Sequence, residues 1–305
     1  MARYLVKRLA ELAVALLIMS VLVFSLARLT GDPVALLLSE YATEEERALL
    51  TEQLGLDRPL TEQYWIFITD AVQGDFGNSI SGTRQPAMDM VMERLPASLL
   101  LAFAALVLSL FIGIPMGVIA AAHRARKTDL TIRVFTLLGQ SIPVFWLGMV
   151  FIYFFSVQLG WLPTSGYGTF AHLILPAVAM SLFTIAAITR LTRVSMIDSM
   201  SSEYIKLARI KGLSEKRIVW KHALRNSLIP VVTYMGTFFA MMITGAVVIE
   251  TVFSWPGIGR LAYQSILDRD FPVMQAVVLT TTVLFMLANL AVDLVYAWID
   301  PRIER

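Results

Sequence analysis

The sequence contains no cysteine and only three histidines, His123, His172 and His222. Disulfides, thiolate nucleophiles and cysteine-ligated metals are therefore excluded, and three scattered imidazoles make no transition-metal site. Charge is also scarce. Asp, Glu, Lys and Arg make up 16% of the 305 residues and hydrophobic residues 57%, far from the balance of a soluble domain. The motifs that bring catalysis or an energy source are missing too: there is no G-x-x-x-x-G-K-[ST] phosphate loop, no H-E-x-x-H and no G-x-S-x-G elbow. A chain of this kind that does work on a solute must draw its free energy from a partner. The net charge of +2 carries no argument for nucleic acid, because the charges are segregated along the chain, and none is expected as a partner.

What is present is a series of long apolar runs. The first, residues 9–29, follows Arg3, Lys7 and Arg8. It is about twice the length of a signal-peptide core, and no small-x-small cleavage site follows it, so it reads as a retained span. Five more runs cover residues 97–122, 134–157, 173–191, 228–252 and 273–297. Each is long enough to cross a hydrocarbon core of about 30 Å at about 1.5 Å per residue. The expected fold class is an all-α polytopic membrane protein with six transmembrane helices. Segments 1–8, 123–133, 190–226 and 298–305 hold 18 of the 25 basic residues, which places them and both termini in the cytosol.

Residues 30–95 differ from the rest, with twelve Asp/Glu against four Lys/Arg, and read as a small helical periplasmic region. Gly31, Asp32 and Pro33 signal a turn. Thr43 and Glu46 form a capping box that opens a helix ending at Gly55. Thr61 can cap another that runs to Gly74, a loop follows through Ser79, and Pro86 opens one more helix that Pro96 closes. The expected division is 1–29 for the N-terminal tip and first helix, 30–95 for the periplasmic region, 96–299 for a five-span core and 300–305 for a cytosolic tail. The core includes a cytosolic loop at 193–227.

Several residues inside the spans admit two readings. Gln140, Ser141 and Pro143 either break a helix that lines a path or simply permit close packing. Met235, Met241 and Met242 form either an adaptable surface or ordinary packing. Glu250 and Asp293 lie near span ends, where interfacial solvation accounts for them as well as function does. The spans lack the mid-bilayer charges of a proton-coupled carrier, and the chain shows no internal repeat.

The longest basic stretch is 203–230, EYIKLARIKGLSEKRIVWKHALRNSLIP. Ser202 can cap a short helix with Glu203 in its first turn, and Gly212 is the natural left-handed residue after its end. Ser214 can cap a second helix, which Pro230 bars from simple continuation. Arg217, Lys221 and Arg225 fall at i, i+4 and i+8, and Ile218, Val219, Trp220, Ala223 and Leu224 supply apolar surface. The segment is either an anchor on anionic headgroups or a docking site for a cytosolic partner.

These residues resemble the coupling (EAA) loop of binding-protein-dependent ABC importer permeases, and more narrowly the peptide/nickel branch with its dipeptide, oligopeptide and glutathione-like members. Ala208 and Gly212 match the general pattern. Lys206 and Arg225 depart from it as that branch does. The resemblance extends along the chain through Arg8-Leu9 with Gly31-Asp32-Pro33, then Leu54-Gly55-Leu56-Asp57-Arg58-Pro59-Leu60 and Gly74-Asp75-Phe76-Gly77-Asn78-Ser79. It continues through Phe253-Ser254-Trp255-Pro256-Gly257-Ile258-Gly259-Arg260 and Asp300-Pro301-Arg302-Ile303.

The resemblance implies a type I ABC importer fold and a non-catalytic subunit of the bacterial inner membrane. Its partners would be a homologous second permease, two cytosolic ATPases that bind ATP and Mg, and a periplasmic solute-binding protein, with no cofactor on this chain. It implies ATPase coupling by Glu203, Tyr204, Lys206, Leu207, Ala208, Arg209, Lys211, Gly212 and Leu213. A translocation path would involve Gln140, Ser141, Pro143, Met235, Met241, Met242 and Glu250. A face toward the binding protein would include Asp75, Phe76, Trp255 and Arg260. The implied solute is a peptide or a glutathione-like conjugate, with nickel or its chelate as the alternative. A stand-alone carrier or channel is the reading from another class.

Overall fold

The computed structural model describes residues 2–30, 34, 38, 43–53, 55–81 and 84–299. The turn expected at Gly31, Asp32 and Pro33, Leu54 of the second motif, the side chain of Asp293 and the tail 300–305 lie outside the described residues. Among the described residues the regular structure is helical, apart from one isolated bridge between Asn78 and Pro86. The chain divides into two compact units, 1–96 with 257–286 and 97–256 with 287–305.

In the first unit, α1 (Ala2–Thr30) is apolar for most of its length. Helix α2 (Glu44–Gln53) opens with the expected capping box: Thr43 N donates to Glu46 Oε2 at 2.9 Å, and Glu46 N donates to Thr43 Oγ1 at 3.3 Å. Helix α3 (Leu60–Val72) starts after Pro59, not at the Thr61 cap expected from sequence. Pro59 presets the turn, and its carbonyl accepts from the amides of Glu62 and Gln63. Helix α3 rests on α1 through a hydrogen bond between Tyr64 Oη and Ser20 Oγ at 2.9 Å, and through Phe24 against Tyr64 and Phe67. The loop after Gly74 is held by buried Asp270. This carboxylate accepts from Ser79 Oγ, from the amides of Ile80 (3.2 Å) and Ser81 (3.3 Å), and from Val273 N at 3.4 Å.

Helix α4 (Ala87–Ala122) is 36 residues long and continues past Pro96 as unbroken helix. The helix end expected there is corrected. A proline removes only its own amide bond, and a long apolar helix retains the rest of its ladder.

In the second unit, α5 (Lys127–Ser141) and α6 (Val144–Phe151) meet at a bend of 100°, and α6 continues as a π-helical turn over Ile152–Gln158. The run expected to span over 134–157 is therefore broken, in agreement with one of the two readings of Gln140, Ser141 and Pro143. The cause is local: Ile142 precedes a proline and is pushed to φ −81°, ψ 125°, out of the helical region. Counting this bent pair as one span gives six, and leaving it out gives five. Helix α7 (Phe170–Ser201) crosses α4 at Gly117, where a Cβ would lie 2.5 Å from Thr192 Cβ and 2.7 Å from the Thr189 carbonyl. Only glycine permits that approach.

Helix α8 (Glu203–Ile210) follows at once. Helix α9 (Glu215–Arg217) passes through a π-helical turn, Ile218–Ala223, into α10 (Leu224–Gly245), and α11 (Val247–Val252) follows. Pro230 lies inside α10, so the stop expected there is also corrected: the helix that opens at Glu215 and the fifth span are continuous. In the first unit α12 (Ile258–Leu267) precedes α13 (Phe271–Ile299), whose last residues leave that unit.

Candidate functional site

The inner side of α8 is seated on an apolar cluster. Ile205 and Ala208 pack with Val118 and Ala121 of α4, Met196 of α7 and Ile218, Val219 and Ala223 of the π-helical turn. The end of α8 is a Schellman motif. Leu213 N donates to Ala208 O at 3.2 Å, Gly212 N donates to Arg209 O at 2.9 Å, and Gly212 sits at φ +75°. Leu213 then folds back onto the same cluster. Ser202 holds the cap position, but its hydroxyl donates backward to Ser199 O at 2.5 Å, and Ser214 likewise makes no side-chain cap. Gly212 behaves as its sequence context predicts, and the two serines do not.

The outer side of α8 carries Tyr204, Leu207 and Ile210 at i, i+3 and i+6, with Leu207 52% and Ile210 82% exposed. Glu203 and Lys206 pair with each other at 2.7 Å on the same helix. Arg209 reaches over Gly212 to Glu215 at 2.7 Å, and that hydrogen-bonded carboxylate raises the guanidinium above its usual pKa. Lys211 and Gly212 are exposed. The hydroxyls of Tyr204 and Ser199 are 2.5 Å apart, and Ser199 Oγ also donates to Ala223 O at 3.1 Å.

Of the nine residues expected to couple, Ala208 is buried in this cluster and Leu213 packs partly buried against it. Ile210 and the half-exposed Trp220 were missed as outward residues. The three-residue spacing of Tyr204, Leu207 and Ile210 was the available signal for Ile210.

The expected path residues do not share one site. Gln140 lies before the α5–α6 bend on the wall of a cavity of about 440 Å³ with Thr136, Thr189, Arg133, Arg190 and Arg193. Met241 and Met242 line a separate apolar cavity of about 330 Å³ with Val144, Phe145, Phe183 and Phe238. Met235 lines neither cavity, Ser141 bonds its own helix at Leu137 O, and Pro143 makes the bend. Glu250 is fully buried and accepts from Ser98 Oγ at 2.5 Å. It is corrected from a path residue to a buried tie between α11 and α4.

On the other expected face, Asp75 is exposed and caps Gly77 N at 2.8 Å, Phe76 meets Phe67 edge-on, and Arg260 is half-buried. Trp255 is 1% exposed. Its indole donates to Ala97 O at 2.9 Å, and its ring meets Tyr167 edge-on. It cannot present itself to a binding protein, and its place is in the core.

Comparison with known proteins agrees with this architecture. Residues 113–305 match the family described as binding-protein-dependent transport system inner membrane component, and residues 1–102 match its N-terminal companion. The glutathione transport system permease protein GsiC of Escherichia coli (strain K12) is 44% identical over 305 residues, covering all of this chain and 99% of the relative. The protein of the same name from Shigella flexneri serotype 5b (strain 8401) is also 44% identical, with the same coverage. In fold, the chain is similar to the inward-facing MetNI methionine ABC transporter, with a TM-score of 0.61 at 20% identity over 70% of this chain and 97% of that one. An amino acid ABC transporter gives 0.50 at 15% identity, over 70% and 94%. The chain belongs to the binding-protein-dependent transport system inner membrane components, the non-catalytic permease subunits of ABC importers.

Proposed function

We propose that this permease imports glutathione-like conjugates or short peptides, handed to it by a periplasmic binding protein and driven by ATPases that grip α8. The single observation that carries the solute class is the 44% identity to a glutathione permease along the whole chain. The nickel alternative has no comparable support. The partners are a second, related permease, two ATPases that bind ATP and Mg, and the binding protein. Both chain ends lie in the cytosol, in keeping with the basic residues of 1–8 and 190–226.

The coupling reading rests on the two sides of α8. A helix seated firmly on the ends of α4 and α7 moves with them, and its outer apolar stripe suits a groove on a partner. Closure of the ATPases would then displace a rigid lever and shift the spans between two arrangements.

The test is uptake into proteoliposomes that hold both permeases and the ATPases, with labelled S-methylglutathione, a dipeptide and nickel as solutes. ATP-dependent uptake of the first two that needs the binding protein is expected. Uptake without any ATPase would establish a stand-alone carrier instead, and uptake of nickel alone would overturn the solute class.

A further inference from the structure

The cavity between α5 and α7 carries more than its lining suggests. Asp129 faces Arg193, and Gly139 faces Leu182 and Ala186, so the two helices run antiparallel. Arg190 lies one turn from Arg193, yet its Nη1 reaches Gln140 Oε1 at 3.5 Å. Gln140 is eleven residues beyond Asp129, about 16 Å farther along α5. Arginines at the ends of spans normally turn their heads toward the headgroups. Arg190 extends the other way, toward the bend, and a cation held in that direction must face water rather than lipid.

The charge balance of the wall points to an anion. Arg193 grips Asp129 with two bonds, 2.7 and 2.9 Å, and Arg133 approaches the same carboxylate at 3.5 Å. One carboxylate thus serves two guanidiniums, and among the described residues Arg190 has no carboxylate partner. Beside it, Thr189 belongs to the same wall, is 1% exposed, and carries a buried hydroxyl without a hydrogen-bond partner. A buried hydroxyl in that state costs free energy unless something fills its place. A carboxylate supplies the negative charge that Arg190, paired at 3.5 Å with the neutral Gln140 oxygen, lacks.

We infer that Arg190, Thr189 and Gln140 form a carboxylate-binding subsite on the route of the transported solute, in the cytosolic half of this permease. The inference rests on the proposed peptide-like solute and names the group by which this subunit holds it. At about 440 Å³ the cavity accommodates a small solute, and a single arginine braced by a neutral amide holds an anion loosely enough for release.

Because the chain has no cysteine, Thr136→Cys puts its only thiol on the cavity wall, with Leu137→Cys as the alternative position. In the assembled transporter, labelling of this chain is followed by mass with anionic sulfonatoethyl and cationic trimethylammonium methanethiosulfonates, each normalised to a free thiol. The anionic preference should fall about tenfold on Arg190→Gln and largely survive Arg190→Lys. S-methylglutathione, delivered with binding protein and ATP, should slow labelling, and Thr189→Val should weaken that protection. A preference that does not depend on Arg190, in a transporter that still imports peptides, overturns the subsite and leaves the function standing. Loss of the second permease from the Arg190→Gln complex also overturns it, by making Arg190 an intersubunit contact. No import of any peptide or conjugate, with the anionic preference intact, removes the solute class but not the anion site.

Discussion

The two sides of helix α8 do opposite things with the same kind of residue. Ile205 and Ala208 on the inner side are 0% and 8% exposed, while Leu207 and Ile210 on the outer side are 52% and 82% exposed. Burial of a side chain such as Ile205 contributes about 1.5–3 kcal/mol, so the inner side fastens the helix to the spans. The outer side leaves apolar surface in water, which is worthwhile only where a partner covers it. A lever needs both: without the inner side it would slip, and without the outer side nothing would push it. The difference shows that exposure, not resemblance to a motif, separates residues that hold the helix to its own subunit from residues left open to a partner.

The harshest way to break the comparison is to charge the inner side. Ile205→Asp puts a carboxylate into an apolar cluster with no partner among the cluster side chains. The expected loss is about 3 kcal/mol or more, seen as a lower melting temperature in detergent and poor assembly. Ala208→Asp should act in the same direction and for the same reason. If either variant melted like the wild type and lost only ATPase binding, the helix would face the other way.

Charging the outer side should have the converse signature. Ile210→Asp and Leu207→Asp are expected to leave melting unchanged within about 0.5 kcal/mol. They should weaken ATPase association by about 2 kcal/mol, roughly thirtyfold, as loss of a buried anchor does at other interfaces. Copurification of the ATPase and stimulation of ATP hydrolysis by loaded binding protein are the readouts. Normal copurification of both variants would remove the docking stripe.

How much of this was legible beforehand follows from the range of the interactions involved. The Thr43–Glu46 box and the left-handed ends at Gly55, Gly74 and Gly212 were readable because each is settled by a few adjacent residues. The passage of helices through Pro96 and Pro230 was not, since the apolar packing that carries them is tertiary. Asp270 and its hold on Ser79 join positions 191 residues apart, which no local pattern exposes. Trp255 looked like a surface aromatic in a loop motif until its indole was found on Ala97 O. Ile210 was absent from the expected set because that set followed a motif and not the face of the helix. Arg190 went unremarked because its direction, rather than its identity, is what sets it apart.

A milder change tests the hinge between the two short helices. Gly212 sits at φ +75°, and a Cβ added there would meet nothing within 4 Å. Gly212→Ala should therefore cost only the backbone strain, about 1 kcal/mol, and reduce transport without abolishing it. Gly212→Asn, which tolerates the left-handed region better, should do less harm than alanine. Equal transport by all three would show that the turn need not be left-handed, and the Schellman geometry would then have no part in the coupling.

The smallest expected effect belongs to the pair that spans that turn. Arg209 and Glu215 are joined by bonds of 2.7 and 3.4 Å, but both side chains are largely in water, 41% and 63% exposed. The carboxylate raises the guanidinium further above a pKa that already keeps it charged, so titration of the arginine cannot open the bridge at any ordinary pH. Exposed pairs of this kind contribute little to stability and weaken further with salt. Arg209→Gln, Glu215→Gln and the double variant should therefore melt together with the wild type. Any loss of ATPase binding should follow Arg209 alone, because only a residue that touches the partner shows an effect that its intramolecular neighbour does not share. If the two single variants were equally impaired and the double variant no worse, the bridge itself would be what the ATPase reads. Leu207 and Ile210 would then be secondary to it.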